Sequence, residues 1–137
     1  MNEFTKPIPV PDADSAPFWD GTRAHKLLIQ RCTNCGTLRF PARKSCGHCH
    51  SDASDWTEVS GKGRVYSWIV VNHPVPREVY GQEVPYVVAL IDLDEGVRMV
   101  SNIIGCDVHA VTAEMPVEVV FEAGQGGMVL PKFKPQA

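Results

Sequence analysis

No stretch of the 137-residue sequence is apolar over the roughly 20 residues that a membrane-spanning helix requires. Its first 14 residues are polar and rich in proline, which is not the pattern of a secretory signal peptide. The hydrophobic fraction of 44% is still enough to build a core in a soluble chain. We therefore expect a cytoplasmic protein without a membrane partner.

The sequence also lacks every common catalytic signature, including GxSxG, the phosphate-binding P-loop, GxGxxG and HExxH. His73 and His109 are expected in loops rather than as catalytic bases. Cys106 is the one cysteine outside a pair, and the acidic neighbour Asp107 disfavours a reactive thiolate, so we expect a buried small hydrophobe there. We predict no catalytic residues and no enzyme activity of the chain alone.

Four of the five cysteines stand in two Cys-x-x-Cys pairs, Cys32 with Cys35 and Cys46 with Cys49. In a reducing compartment such pairs indicate metal binding more than disulfides. Two knuckles ten residues apart bring four thiolates around one cation, which is the pattern of a structural zinc ribbon. The predicted cofactor is therefore a structural Zn²⁺ with no open position for catalysis.

Other interpretations of these cysteines remain open from the sequence. In one interpretation the four cysteines form two disulfides. In another they persist as thiols without metal. His48 or His50, which flank Cys49, replaces a sulfur ligand, although two knuckles favour sulfur at both ends. Iron occupies the same ligands in a rubredoxin-like site.

Negatively charged side chains are missing from residues 23–44, which contain no Asp or Glu. The six cations of this segment are Arg23, Lys26, Arg31, Arg39, Arg43 and Lys44. Such asymmetry indicates either a polyanionic partner or simple solvation of a small module.

The chain divides into a flexible lead-in at residues 1–13, a helical segment at 14–26, a zinc ribbon at 27–55 and a β domain at 56–137. Asp14 or Ser15 is predicted to cap a helix that runs from about Ala16 to His25. A helix this short is marginal alone, so its adjacent aromatics Phe18 and Trp19 need another surface to pack on.

Five predicted strands follow a short one at Trp56–Val59, with a helical link between the third and fourth. The order is typical of a five-stranded OB-fold barrel in a mainly β protein. The five strands are Arg64 to about Asn72, Tyr86 to Asp92, Val97 to Ile104, Val117 to Glu122 and Met128 to Phe133, with the link at 107–114.

Several motifs together resemble a bacterial and archaeal family that joins a helical hairpin and a rubredoxin-like zinc ribbon to an OB-fold. They are APFW at 16–19, LLIQRC at 27–32, FPAR at 40–43, SGKGRVYS at 60–67, PYVVAL at 85–90, NIIGC at 102–106, MPVEV at 115–119 and LPKF at 130–133. The resemblance covers about residues 12–135, which is nearly the whole chain.

This resemblance implies a role beside acyl-CoA chemistry. Similar proteins are small non-catalytic subunits of thiolase-superfamily enzymes, such as benzoylsuccinyl-CoA thiolase and steroid side-chain aldolases, and others pair with hot-dog-fold hydratases. There the large subunit supplies the reactive residues. We expect the same role here, with Phe18 and Trp19 contacting a thiolase-like partner and the six cations of residues 23–44 as possible contacts for CoA phosphates.

The alternative is a nucleic-acid-binding protein, since a zinc ribbon and an OB-fold also occur together in that class. Residues 51–137 argue against it, because they carry six cations against twelve acidic residues. Tyr66, Trp68 and Tyr86 can stack on bases, but they fit better as packing residues of the barrel. We expect no nucleic-acid partner.

Overall fold

The computed structural model describes residues 6–137. Residues 1–5 of the predicted lead-in lie outside this range. Two helices and eight strands follow one another in the described residues: α1 Ala16–Arg23, β1 Leu28–Cys32, β2 Leu38–Arg39, β3 Ser54–Glu58, β4 Lys62–Val71, α2 Arg77–Tyr80, β5 Tyr86–Leu93, β6 Arg98–Ile103, β7 Pro116–Ala123 and β8 Val129–Pro135.

Helix α1 begins without the predicted side-chain cap. Ser15 stands at the N-cap position with a helical backbone conformation, and its side chain makes no capping hydrogen bond. The Ser15 amide instead donates to Asp12 Oδ1 (2.7 Å), while Ser15 Oγ accepts from the Asp12 amide (3.1 Å). Ser15 therefore occupies the predicted N-cap position, but its side chain does not cap the helix, because a side-chain cap requires an extended N-cap residue.

The cysteine-bearing region is a three-stranded antiparallel sheet with β1 in the centre and β2 and β3 on its flanks. Gln30 pairs with Arg39 on one side, and Cys32 pairs with Ser54 on the other. Strand β3 crosses the domain boundary predicted between residues 55 and 56. It pairs with β1 of this sheet, so the sheet continues to Glu58.

The last five strands form a closed barrel in the order β4-β5-β6-β8-β7. Strands β7 and β4 complete the barrel through pairs such as Lys62 with Glu118, and β6 meets β8 in parallel at Ile103 and Phe133. Gly63 allows β4 to approach β5 closely, because a Cβ there would lie 2.5 Å from the Asp92 carbonyl oxygen. The topology is that of an OB-fold.

One core joins all three parts of the fold. Phe18 of α1 and Ile29 of β1 belong to the same cluster of buried residues as Val65 and Phe133 of the barrel. Phe133 and Val65 are fully buried. Behind α1, the ring of His25 stacks on Phe121 of β7 at 5.3 Å. The ribbon is therefore seated on the barrel through the helix.

The predicted architecture is confirmed, with a short N-terminal helix, a cysteine-bearing sheet and a five-stranded barrel. The link predicted at 107–114 forms a single 3-10 turn at Val108–Ala110, which Asp107 caps by accepting from the His109 amide (2.8 Å). Helix α2 was not predicted, because its segment reads as a loop with several prolines. Within residues 6–137, no helix has the length and apolar character needed to cross a membrane.

Candidate metal centre

The two cysteine knuckles repeat one backbone pattern. In the first, the Cys32 amide donates to the Thr37 carbonyl (2.9 Å) and the Gly36 amide donates to the Cys32 carbonyl (2.8 Å). In the second, Cys46 and His50 make the equivalent bonds, each at 2.9 Å, with the Cys46 amide donating to the carbonyl of Ser51. Both knuckles thus present their sulfur atoms on a rigid turn.

His50 takes the place in the second knuckle that Gly36 takes in the first. Both residues have a positive φ, 80° for Gly36 and 65° for His50. Glycine adopts this conformation at little cost, whereas a histidine there is uncommon. His50 therefore has a role in the turn, and it is not part of the cluster of ligand atoms, which consists of four sulfurs.

The four sulfur atoms of Cys32, Cys35, Cys46 and Cys49 lie within 4.8 Å of one another. The Sγ atoms of Cys32 and Cys49 are 3.5 Å apart, and those of Cys35 and Cys46 are 3.7 Å apart. A tetrahedral zinc with Zn–S bonds of about 2.3 Å places its sulfurs about 3.8 Å apart. The donor set and its spacing therefore fit a structural zinc ion, and all five cysteines are free thiols.

Hydrogen bonds to sulfur favour the thiolate form, which is the form that binds metal. The backbone amides of Cys49 and His48 lower the pKa of the Cys46 thiol to about 6. The His48 amide lies 3.3 Å from Cys46 Sγ. The Asn34 side chain, 3.4 Å from Cys49 Sγ, is the main cause of the lowered pKa of Cys49. Asn34 is a supporting residue that the sequence analysis missed.

The six predicted CoA-phosphate contacts differ in their surroundings. Arg23 pairs with Asp20 (3.0 Å), and Arg31 pairs with Asp55 through two bonds of 2.7 and 3.0 Å. The remaining exposed cations of the set, with no ion pair among residues 6–137, are Lys26, Arg43 and Lys44.

Arg39 is only 4% exposed, and groups of the same chain hydrogen-bond its guanidinium. Its Nε donates to Gln30 Oε1 (3.0 Å), and its Nη2 donates to the Arg43 carbonyl (2.8 Å). The Arg43 amide also donates to Gln30 Oε1 (2.8 Å). Arg39 Nη1 is buried and has no acceptor within residues 6–137. This network ties the segment at Arg43, which precedes the second knuckle, to the ribbon sheet.

The predicted partner contacts are placed unequally. Phe18 is 7% exposed, and its ring packs against Phe40 at 5.7 Å. Trp19 is half-buried and meets the Phe18 ring edge-on at 5.0 Å. Phe18 therefore packs inside the chain and supports Trp19, which keeps a solvent-facing part.

The residues considered for catalysis are not arranged as a reactive set. His73 and His109 are exposed residues of connecting segments. Cys106 is half-buried and packs against the barrel core.

Comparison with known proteins identifies both halves. The ChsH2 rubredoxin-like zinc ribbon domain matches residues 19–55, and the ChsH2 C-terminal OB-fold domain matches residues 56–122. A DUF35 domain-containing scaffold protein of Methanocaldococcus jannaschii is 40% identical over 116 residues, covering 80% of this chain and 81% of that protein.

A longer relative and a solved structure agree with these matches. The probable enoyl-CoA hydratase alpha subunit of Thermomonospora curvata is 39% identical over 130 residues, covering 95% of this chain. This chain spans only 40% of that protein's length. A chain of the Ltp2-ChsH2(DUF35) aldolase superimposes with a TM-score of 0.83 at 38% identity, covering 93% of this chain and 98% of that one. The chain therefore belongs to the DUF35 family, in which a ChsH2-type rubredoxin-like zinc ribbon precedes an OB-fold domain.

Proposed function

We propose that this chain is a non-catalytic accessory subunit that binds and stabilises a thiolase-superfamily enzyme acting on acyl-CoA. The partner is a thiolase or a CoA-ester aldolase, which breaks or forms a carbon–carbon bond. The likeness to a chain of the Ltp2-ChsH2(DUF35) aldolase carries this proposal, because it extends over nearly the full length of both chains.

The chemistry of the metal centre supports a structural role. Four sulfur ligands complete a tetrahedral zinc, so no position is left for a water molecule or a substrate carbonyl. Turnover then depends on residues of the large subunit, and this chain contributes binding surface and stability. The zinc acts by holding the ribbon in the shape that the partner recognises.

The contact that we propose lies on α1 and the adjoining ribbon. Trp19 presents its outer part to the partner, and Phe18 holds it from the inside through an edge-on contact at 5.0 Å. Tryptophan is enriched among the residues that dominate interface energies. A rigid aromatic pair on a short helix is well suited to such an anchor.

A direct contribution to CoA binding is a second part of the proposal. Lys26, Arg43 and Lys44 are exposed and carry no ion pair within residues 6–137, so their charges are available to the phosphates of CoA. Arg39 is left out, because its burial keeps it from an outside phosphate.

Co-expression with a candidate thiolase-like large subunit from the same organism tests the role. We expect the two chains to purify together, with acyl-CoA turnover by the complex and none by this chain alone. Failure of the chains to associate, or aldol or thiolytic activity of the isolated chain, would contradict the proposal.

A pair of tryptophan and tyrosine variants tests the contact. Trp19→Ala should weaken the complex by about 2 kcal/mol or more, the scale of an interface hot spot. Tyr66→Ala removes an aromatic ring that is 49% exposed on the barrel and should leave association unchanged. Phe18→Ala should lower the melting temperature of the free chain, because it removes a buried ring.

A further inference from the structure

An open pocket of about 100 Å³ lies where helix α1 meets the ribbon sheet. Its walls come from α1, the three ribbon strands and the segment 40–42 that follows β2, and its accessible surface is predominantly apolar. Small-molecule sites are usually about 300–1,000 Å³, so this pocket is too small for a cofactor. An apolar cavity of about 150 Å³ binds benzene. The pocket therefore has room for one aliphatic side chain or one small ring.

Four aromatic rings line this pocket, those of Phe18, Trp19, Phe40 and Trp56. Phe18 is buried, and the other three are half-buried, so each of the three keeps part of its surface exposed. Phe18 meets Trp19 edge-on at 5.0 Å and packs against Phe40 at 5.7 Å, which holds these rings in place. The pocket is therefore formed by the chain itself and does not need an occupant to shape it.

Arg39 is the only charged side chain among the described lining residues. Its hydrogen bonds go to two neutral acceptors, the Gln30 side chain and the Arg43 carbonyl, and no carboxylate pairs with it within residues 6–137. Its Nη1 is buried and has no acceptor in the same part of the chain. A buried charge without an opposite charge is unfavourable, so Arg39 favours an occupant that brings a carboxylate.

Two further cations follow the lining segment directly. Arg43 and Lys44 come after Ala42, and both are exposed and without an ion pair within residues 6–137. Residues 39–44 contain no Asp or Glu. The side of the pocket that this segment forms is therefore positive, and a protein surface that complements it is acidic.

We propose that this pocket receives one apolar side chain of the partner protein, from a segment that carries a carboxylate next to that side chain. The apolar side chain fills the space beside Trp19 and Trp56, and the carboxylate lies on the Arg39 side. CoA is not the occupant, because its nucleotide is far larger than the pocket. The inference rests on the proposed accessory role and adds the chemistry of the partner's contact.

Small probes test this chemistry on the full chain without a partner. The probe 4-methylpentanoate carries an apolar branch and a carboxylate, 4-methylpentanamide lacks the charge, and acetate lacks the apolar branch. The indole N–H signals of Trp19 and Trp56 report on the pocket in NMR spectra. Trp68 lies outside the lining, so its indole signal is the internal control.

We expect saturable shifts of the two pocket indoles with 4-methylpentanoate, with a Kd on the order of 10 mM. The amide should bind at least three-fold more weakly, and acetate should give no saturation. Absent shifts of both pocket indoles, or equal binding of the amide, would overturn the proposal.

Matched variants at two alanines test the pocket in the complex. Ala42 is half-buried in the lining, and Ala53 is exposed outside it. Ala42→Leu fills the pocket and should weaken association with the co-expressed thiolase-like subunit at least ten-fold, whereas Ala53→Leu should associate as the parent does. If the parent associates and Ala42→Leu does so equally well, this inference is wrong and the accessory role stands. If the parent does not associate, the accessory role is wrong and this inference falls with it.

Two changes of nearly equal size at Ala42 test the charge separately. Ala42→Glu brings a negative charge to the pocket, and Ala42→Gln does not. Ala42→Glu should weaken association at least three-fold more than Ala42→Gln, because it gives Arg39 a carboxylate and repels that of the partner. Both variants should keep the zinc content and melting temperature of the parent. Equal weakening by the two changes would contradict the carboxylate in the proposed contact.

Discussion

The ribbon and the barrel bury very different groups. Between residues 33 and 53 the ribbon buries only the side chains of Arg39 and Cys46, a cation and a metal-ligand candidate. The barrel buries large apolar side chains completely, including Phe133, Ile91 and Met99. The knuckle region has almost no apolar core of its own, so its shape depends on metal–sulfur bonds and hydrogen bonds. The barrel depends on apolar burial.

Removing a sulfur ligand should have the largest effect, and it should affect the ribbon far more than the barrel. Purified protein should carry close to one zinc per chain, and Cys46→Ser should lose the zinc. Structural zinc in small finger peptides is worth on the order of 10–16 kcal/mol of apparent binding free energy. The ribbon should therefore unfold while the barrel partly survives, which metal analysis and a two-step thermal transition would report.

Cys106→Ser is the control for that experiment, because Cys106 lies outside the sulfur cluster. It should keep the full zinc content. A zinc content well below one in gently purified parent protein, or full zinc content in Cys46→Ser, would contradict the assignment.

Emptying the barrel core is the reverse experiment. Phe133→Ala removes a fully buried ring and should cost about 3–5 kcal/mol of unfolding free energy. Urea denaturation measures the loss. The zinc content should stay close to one per chain, because no ligand or knuckle hydrogen bond is touched. Loss of zinc at a temperature where the variant is still folded would show that the ribbon depends on the barrel core, and not on its metal alone.

The difference between the halves also explains what the sequence could predict. The two Cys-x-x-Cys pairs are local patterns, and the alternation of apolar residues along a strand such as β5 is local as well. The structure forms the knuckles and strands that these two patterns predict, so the ribbon and the barrel were predictable. The hydrogen bond from Asn34 to Cys49 joins two knuckles that are distant in sequence. No sequence pattern within either knuckle predicts this hydrogen bond.

Burial of single residues in the helix and ribbon was not predictable for the same reason. Phe18 and Trp19 are adjacent and chemically alike, and only packing against Phe40 decides which one is buried. Arg39 looks like any exposed cation in a basic segment. Its burial follows from pairing opposite Gln30 in a strand of two residues, which no local pattern specifies.

The polar network of the ribbon allows a sharper comparison of single hydrogen-bonded side chains. Gln30 accepts two hydrogen bonds through Oε1, so Gln30→Leu leaves Arg39 Nε and the Arg43 amide each without that acceptor. Unsatisfied buried groups cost about 1–3 kcal/mol each. Since Arg39 Nε retains the Arg43 carbonyl at 3.2 Å, we expect a loss of about 2 kcal/mol, measured by thermal unfolding of the zinc-loaded protein.

Gln136→Leu is the matched change in the barrel. Gln136 makes one side-chain hydrogen bond, from Nε2 to the Val117 carbonyl (2.9 Å). Its loss should cost about 0.5–1.5 kcal/mol, the usual net value of a single bond. Equal losses in the two variants would refute the idea that the ribbon relies more heavily on buried polar contacts.

The charges of the two halves give the smallest expected effect, which concerns nucleic acid. A few exposed ribbon cations support at most non-specific binding to single-stranded DNA, with a Kd of about 10⁻⁴–10⁻⁶ M or weaker at physiological salt. The barrel part, residues 59–137, opposes it, because it carries six cations against nine acidic residues. Raising the salt concentration should abolish the signal, since each phosphate contact releases counterions.

The double change Arg43→Gln with Lys44→Gln should reduce residual low-salt binding, whereas Lys62→Gln on the barrel should not. Fluorescence anisotropy with labelled single-stranded DNA measures all three proteins, and a sub-micromolar Kd at physiological salt would favour a nucleic-acid role over the accessory one.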